Sequence, residues 1–272
     1  RGDVESRSAQ VTVTRRAGAD NARMRILAIG IDAYLDPALR LNSAGRDAKA
    51  VAKMFEARGK AVFRGGVTAK VLTDEQATRE GIAAGFAWLA SQTRPEDVAV
   101  VFFAGHGETE NDEYFFIPQD LKYTGPGSLS QQGLSQGALQ AMVKEIPARR
   151  VIMLLDTCKS GKLTDAFGSR GFKIKKSLTL FSQTTGTYMV AASTAQQLAL
   201  EDTKLGHGIF TYAVLEGVKG GADYDGDGQV SIRELILYLD AEVARISKER
   251  FNREQYPVAF GTGRNFPLVA TQ

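Results

Sequence analysis

Three runs of unbroken apolar residues, Ile26 to Ile29 within a strand expected at 24–31, then 98–104 and 151–155, constrain this chain more than any other feature. Each is too short for an ordinary helix and stops at a small or charged residue: Gly30 and Asp32 after the first, Gly105 after the second, Asp156 after the third. A run that is apolar at every position, rather than alternating, needs cover on both faces, as a central parallel strand does. The segments between them repeat with a helical period. Ala44, Ala48, Val51, Ala52 and Phe55 share one face, with Gly59 as its stop. Thr78 caps a helix presenting Ile82, Phe86 and Leu89, and Leu139, Met142, Val143 and Ile146 make a third face ended by Pro147. Further strands are expected at 67–72, 114–117, 188–192 and 266–269, with helices at 209–218 and around Ile232, Leu235, Ile236, Leu239 and Val243. Strands alternating with helices of about 10 to 15 residues predict right-handed crossovers. The expected fold is α/β: a three-layer αβα sandwich around a mostly parallel central sheet.

Composition removes several classes of function. With 34 basic and 31 acidic residues the net charge is +3, and no basic block with interleaved aromatics marks a nucleic-acid partner. No apolar stretch reaches the ~18 residues that span a bilayer. The single cysteine excludes an intramolecular disulfide and favours a reducing, cytoplasmic setting; export stays open because the sequence starts at Arg1 rather than Met. Residues 1–22 are polar and basic apart from an alternating stretch at 11–14, and read as a linker or the end of an upstream, regulatory region. Residues 23–272 form the expected domain. Within it, 162–186 has Gly168, Gly171 and a basic cluster with little periodicity, which reads as an exposed loop.

Two of the apolar runs deliver reactive side chains, Gly105-His106-Gly107 and Asp156-Thr157-Cys158. Adjacent parallel strands lie ~4.8 Å apart, so groups just past their C-terminal ends come within reach of one another. Cys158 is then the candidate nucleophile and His106 its general base and acid, because an unperturbed thiol is mostly protonated at neutral pH and needs a proton acceptor. The amides of Gly107 and Cys158 are candidate oxyanion donors. The bland alternative makes Cys158 a small buried hydrophobe and His106 a loop residue. His207, in Leu205-Gly206-His207-Gly208, opens a predicted helix and reads as a structural or rim residue.

The segments Phe103-Ala104-Gly105-His106-Gly107 and Leu155-Asp156-Thr157-Cys158-Lys159-Ser160-Gly161 resemble the catalytic His and Cys segments of caspase-like cysteine peptidases, in particular the bacterial and metacaspase branch of peptidase C14. The His-to-Cys separation is 52 residues, against about 50 in caspases. The likeness runs from about Met24 to the C-terminus. It implies a large-subunit-like part at about 23–165 and a small-subunit-like part at about 187–272. The Gln-Ala-Cys-x-Gly signature of animal caspases is absent, and Lys159 stands where metacaspases usually carry a histidine. The implied activity is thiol-dependent endopeptidase cleavage of proteins or peptides through an acyl-enzyme thioester. The alternative is a catalytically silent interaction or calcium-sensing module of a larger protein.

Metacaspases line their primary pocket with acids two positions before the nucleophile and at the start of the first helix, which here are Asp156 and Asp47. The resemblance therefore implies cleavage after Arg or Lys. Asp32 and Ser193 are further pocket candidates, and Glu201 a weaker one. Alternatively Asp47 serves the helix dipole and Asp156 orients the Cys turn. A basic pocket makes Arg170, Lys173, Lys175 and Lys176 candidate self-cleavage positions.

Residues 223–234 match the 12-residue EF-hand loop, with Asp223, Asp225 and Asp227 at positions 1, 3 and 5, Gly228 at the turn, Gln229 offering its carbonyl, and Ser231 and Glu234 at positions 9 and 12. Oxygen donors at this density suit Ca²⁺, the one cofactor expected, and no organic cofactor is. The rival reading is a Ser231-x-x-Glu234 capping box, which leaves the three aspartates unexplained.

Overall fold

The computed structural model describes residues 21–110, 113–125, 127–158, 179, 181–192, 201–202, 205–252, 255–261 and 263–272. The first half of the chain gives β1 (Met24–Gly30), α1 (Ala44–Gly59), β2 (Val67–Thr73), α2 (Arg79–Gln92), β3 (Val98–Glu110) and β4 (Glu113–Phe116). Then come α3 (Ser128–Gln132), β5 (Leu134–Ser135), α4 (Gln136–Lys144), β6 (Arg150–Cys158) and β7 (Tyr188–Ala191). The C-terminal part contributes β8 (Glu201–Asp202), β9 (His207–Gly208), α5 (Ile209–Glu216), β10 (Gln229–Ser231), α6 (Ile232–Phe251), β11 (Val258–Phe260) and β12 (Pro267–Ala270).

The apolar runs become neighbours in one sheet of order β11-β7-β6-β3-β1-β2. Its ladders are parallel except for β11 against β7, and the β4–β5 arm joins antiparallel at the end of β3. Because strand side chains alternate, the runs split into two cores. Ile26, Ala28, Val100, Phe102, Ile152 and Leu154 meet Val51 and Phe55 of α1, Phe210 and Val214 of α5, and Leu235 and Leu239 of α6. Leu27, Ile29, Val101, Phe103, Met153 and Leu155 meet Ile82, Phe86 and Leu89 of α2 and Leu139 and Val143 of α4. Double cover explains why these runs carry apolar side chains on both faces of the sheet. Thr78 caps α2 by accepting the Gly81 amide at 3.0 Å, as its sequence position predicts. Among the described residues no helix is long and apolar enough to cross a membrane.

Four expectations change. His106 and Cys158 lie inside β3 and β6 rather than past their ends, because the ladder between those strands continues to a final rung that opposes the two residues. The stretch 162–186 is not exposed loop to its end: Phe181 is apolar and buries itself in the second core, and the following turn is tied by Ser182 Oγ donating to Thr187 O at 2.7 Å. The C-terminal strand β12 pairs with β10 in a separate two-stranded sheet, and the edge of the main sheet is β11 instead. Finally, α5 ends at Glu216 and widens into a π turn over Gly217–Gly221, which Gly220 allows with φ at 127°. The expected strand at 11–14 lies outside the described residues.

Candidate active site

β3 is parallel to β6 up to His106 and antiparallel to β4 from Gly107 onward, so His106 sits where one strand changes partners. The change of course is made at Gly105, whose φ of +154° and position against Tyr34 leave no room for a side chain; a Cβ there would lie 2.6 Å from the tyrosine oxygen. Tyr34 holds the rung from the other side, its oxygen accepting the His106 amide at 2.8 Å and its ring 5.2 Å from the imidazole.

His106 is 6% exposed, and its Nε2 lies 2.9 Å from the carbonyl oxygen of Leu39. A carbonyl only accepts, so Nε2 carries the proton and Nδ1 is the basic nitrogen of the neutral ring. The Leu39 carbonyl is presented by the short turn Pro37–Leu39, which Asp36 caps by accepting the Ala38 amide at 2.9 Å. The His106 carbonyl in turn accepts the Ile117 amide at 3.0 Å. In the β3–β6 register the Cα of Cys158 stands opposite that of His106; the Cys158 side chain lies outside the description. Tyr114 closes over the same rungs, donating to Thr157 Oγ1 at 3.0 Å and packing where a Gly107 side chain would be.

The carboxylates of Asp47 and Asp156 come together at Gly208. Asp47 and Asp156 are 2% and 6% exposed, although aspartate is rarely buried. Gly208 separates them: a Cβ added there would lie 3.0 Å from Asp156 Oδ2 and 3.4 Å from Asp47 Oδ2. Asp156 Oδ2 accepts the Thr211 hydroxyl at 2.6 Å and the Thr211 amide at 3.3 Å, a charge at the N-terminal turn of α5. Asp47 Oδ2 accepts the Gly208 amide at 3.1 Å. Its Oδ1 lies 2.5 Å from Nδ1 of His207, which the sequence alone marks as a structural or rim residue without naming its partner. Burial first, and then the charges of Arg46 and Lys219, hold the His207 imidazole below its ordinary pKa, so near neutral pH the contact is an N–H···O hydrogen bond. The α1 N-terminus that carries Asp47 reaches this point because Gly30 lets the helix pack onto the end of β1; a Cβ there would meet the Ala44 carbonyl oxygen at 2.1 Å.

Asp32 takes a different part. Its Oδ1 and Oδ2 accept the Ala44 and Gly45 amides at 2.8 and 2.9 Å, capping α1 in place of Ser43, whose side chain makes no cap bond. Ser193, Lys159, Arg170, Lys173, Lys175 and Lys176 lie outside the described residues, as does the side chain of Glu201.

At the other end of the sheet, Asp223, Asp225 and Asp227 converge, each offering an oxygen within 4.8 Å of the others. Asp223 Oδ1 is buried with no hydrogen-bond partner among the described residues. The loop is shaped by its own amides: Gly228 N donates to Asp223, Asp227 N to Asp225, and Gln229 N to Asp227. Ser231 and Glu234 form a complete capping box on α6. Burial opposes ionisation of Glu234, but hydrogen bonds from Ser231 and from the Tyr224 and Asp225 amides outweigh it and hold the carboxyl below the usual range. Clefts of about 780 and 510 Å³ lie beside β11 and beside this loop, away from His106.

A family model for the caspase domain of peptidase C14 matches residues 23–265. The crystal structure of the Geobacter sulfurreducens protein GSU0716 superposes with a TM-score of 0.58 at 19% identity, covering 89% of this chain and 95% of that one. The structure of pro-sf-caspase-1 aligns at a TM-score of 0.47 and 12% identity over 89% and 91% of the two chains. No curated protein sequence matches at a significant level.

Proposed function

The chain belongs to the caspase-domain family of cysteine peptidases, and from that premise we propose that it is an endopeptidase cleaving after Arg or Lys, with Cys158 as nucleophile and His106 as general base and acid. Nδ1 of His106 takes the thiol proton, and the thiolate attacks the scissile carbonyl carbon. The amides of Gly107 and Cys158 stabilise the oxyanion that forms. Collapse of that intermediate breaks the C–N bond, and the departing amine receives the proton from His106. Water, deprotonated by the same imidazole, then hydrolyses the thioester and regenerates the thiol.

The observation that carries this reading is the register of the β3–β6 ladder, which opposes His106 and Cys158 at its last rung. The specificity rests on Asp47 and Asp156, two buried carboxylates meeting at one glycine, an arrangement that favours a guanidinium or ammonium group. The basic residues Arg170 to Lys176 are then substrates for self-cleavage, and the chain is read as one domain with large- and small-subunit-like parts. Ca²⁺ fits the Asp-rich loop chemically, since three carboxylate oxygens converge there and Asp223 Oδ1 has no hydrogen-bond partner among the described residues. Asp223, Asp225, Asp227, the Gln229 carbonyl and Ser231 would hold it, with Glu234 as the further ligand; a bound ion would neutralise the loop and fix the entry to α6.

The test is turnover of fluorogenic Arg and Lys peptides by wild type and Cys158→Ala, with and without Ca²⁺. Turnover by wild type alone is the expected result. No turnover, together with no labelling of Cys158 by an electrophilic peptide, would overturn the peptidase reading in favour of a binding module. Calorimetric titration with Ca²⁺, with Asp223→Ala as control, tests the loop, and comparison of fragments from wild type and Cys158→Ala tests self-cleavage.

A further inference from the structure

Asp47 is held by two consecutive residues from the distant end of the chain. Gly208 N–H donates to Oδ2 at 3.1 Å, and Nδ1 of His207 lies 2.5 Å from Oδ1. Two donors on adjacent residues fix both the position and the plane of a carboxylate, whereas one leaves it free to turn about its Cβ–Cγ bond. The same pair of residues forms β9 and leads directly into α5, whose first turn binds Asp156 through Thr211. One short segment therefore sets the distance and the angle between the two acids.

We infer that His207 is a positioning residue for the basic-specificity pocket, aiming Asp47 at the substrate ammonium or guanidinium group when neutral and cancelling its charge when protonated. This rests on the reading of Asp47 and Asp156 as the pocket for a basic side chain. Neutral His207 spends its Nδ1 proton on Asp47 and leaves the carboxylate its full charge. Protonated His207 is a cation in contact with that carboxylate, so a basic side chain must compete with it in a buried setting where charges are poorly screened. The charged groups facing His207 are Asp47 and Arg46 from α1, Lys219 from the turn after α5, and Asp156 from β6 across Gly208; Asp202 of β8 stands opposite it in backbone register. Arg46 and Lys219 oppose protonation, as does burial, so the switch lies on the acid side of neutrality.

The experiment compares wild type, His207→Ala and His207→Asn on Arg and Lys peptides from pH 7.5 to 5.5, with iodoacetamide labelling of Cys158 as a readout that bypasses the pocket. His207→Ala raises KM about tenfold or more with kcat within about threefold, and labelling is unchanged. His207→Asn, which keeps a donor near the Nδ1 position and cannot be protonated, recovers most of that loss. The wild-type KM rises as the pH falls, and that of His207→Asn stays flat; titration of His106 appears equally in both and cancels from the comparison. A KM for His207→Ala within about twofold of wild type overturns the inference, as does an equal loss of kcat and labelling, or an acid rise in KM that persists in His207→Asn. Should wild type cleave only after acidic or neutral residues, the basic pocket falls first and the role of His207 with it.

Discussion

The buried cluster around Asp47 and Asp156, proposed above as the pocket, and the Asp-rich loop are both made of carboxylates and backbone amides, yet they are assembled in opposite ways. The loop draws Asp223, Asp225, Asp227 and Glu234 from twelve consecutive residues, with Asp225 and Asp227 exposed to solvent. The pocket draws Asp47, Asp156, His207 and Thr211 from separated elements and buries its acids almost completely. In the loop each aspartate finds an amide within five residues, so the peptide itself supplies the cradle. In the pocket the partners meet only because α1 and α5 pack on the same face of the sheet. Local assembly is tolerant of change and adjusts to ions and solvent. Assembly by topology is rigid, and each member is exposed to the full cost of a missing partner.

The sharpest way to break this contrast is at the rung that opposes His106 and Cys158. His106→Ala should lower turnover of an Arg peptide by about 10²- to 10⁴-fold, with circular dichroism unchanged; retention of activity would remove the strand-end site from the comparison. Next come Asp47→Asn and Asp156→Asn, each expected to cost about 10- to 100-fold in kcat/KM for basic peptides, since each removes a buried charge opposite the substrate cation. Equal activity on basic peptides would make both acids structural. Gly105→Ala should cost about 1–3 kcal/mol in denaturant unfolding, because alanine rarely adopts this φ and its Cβ would meet Tyr34. The smallest effect belongs to the loop and is read in chelator. Because the folded pKa of Glu234 is depressed, its stabilising contribution is complete above the unfolded value of about 4.3 and is lost as pH falls through the folded value. The difference in Tm between wild type and Glu234→Gln should therefore shrink on acidification below that point. A difference that stayed constant with pH would mean that the capping box does not depend on the charge.

What sequence made visible follows the same division. The apolar runs, their helical partners and the caps at Thr78 and Ser231 are local, and each was legible because it depends on neighbours within a few residues. β3 and β6 run past the ends that the sequence marks, because Gly105 and Asp156 interrupt the apolar runs with residues that disfavour strands; only cross-strand pairing extends the ladder through them. β11 was missed for a related reason: three residues with only partial burial carry no pattern until β7 lies beside them. Asp47 and Asp156 are singled out only by a family resemblance, and the bond between Asp47 and His207, 160 residues apart, leaves no periodic or local trace in the sequence. The capping role of Asp32 is similar, because it caps a helix that starts twelve residues later.

The adjacency of β6 and β7 bears on any scission at Arg170 to Lys176. The two strands flank that stretch in sequence and lie side by side in the sheet, with Ile152 to Leu155 in register against Tyr188 to Ala191. A nick between them would cut a covalent link but none of the rungs, so the products would travel as two bands under denaturing conditions and as one particle otherwise.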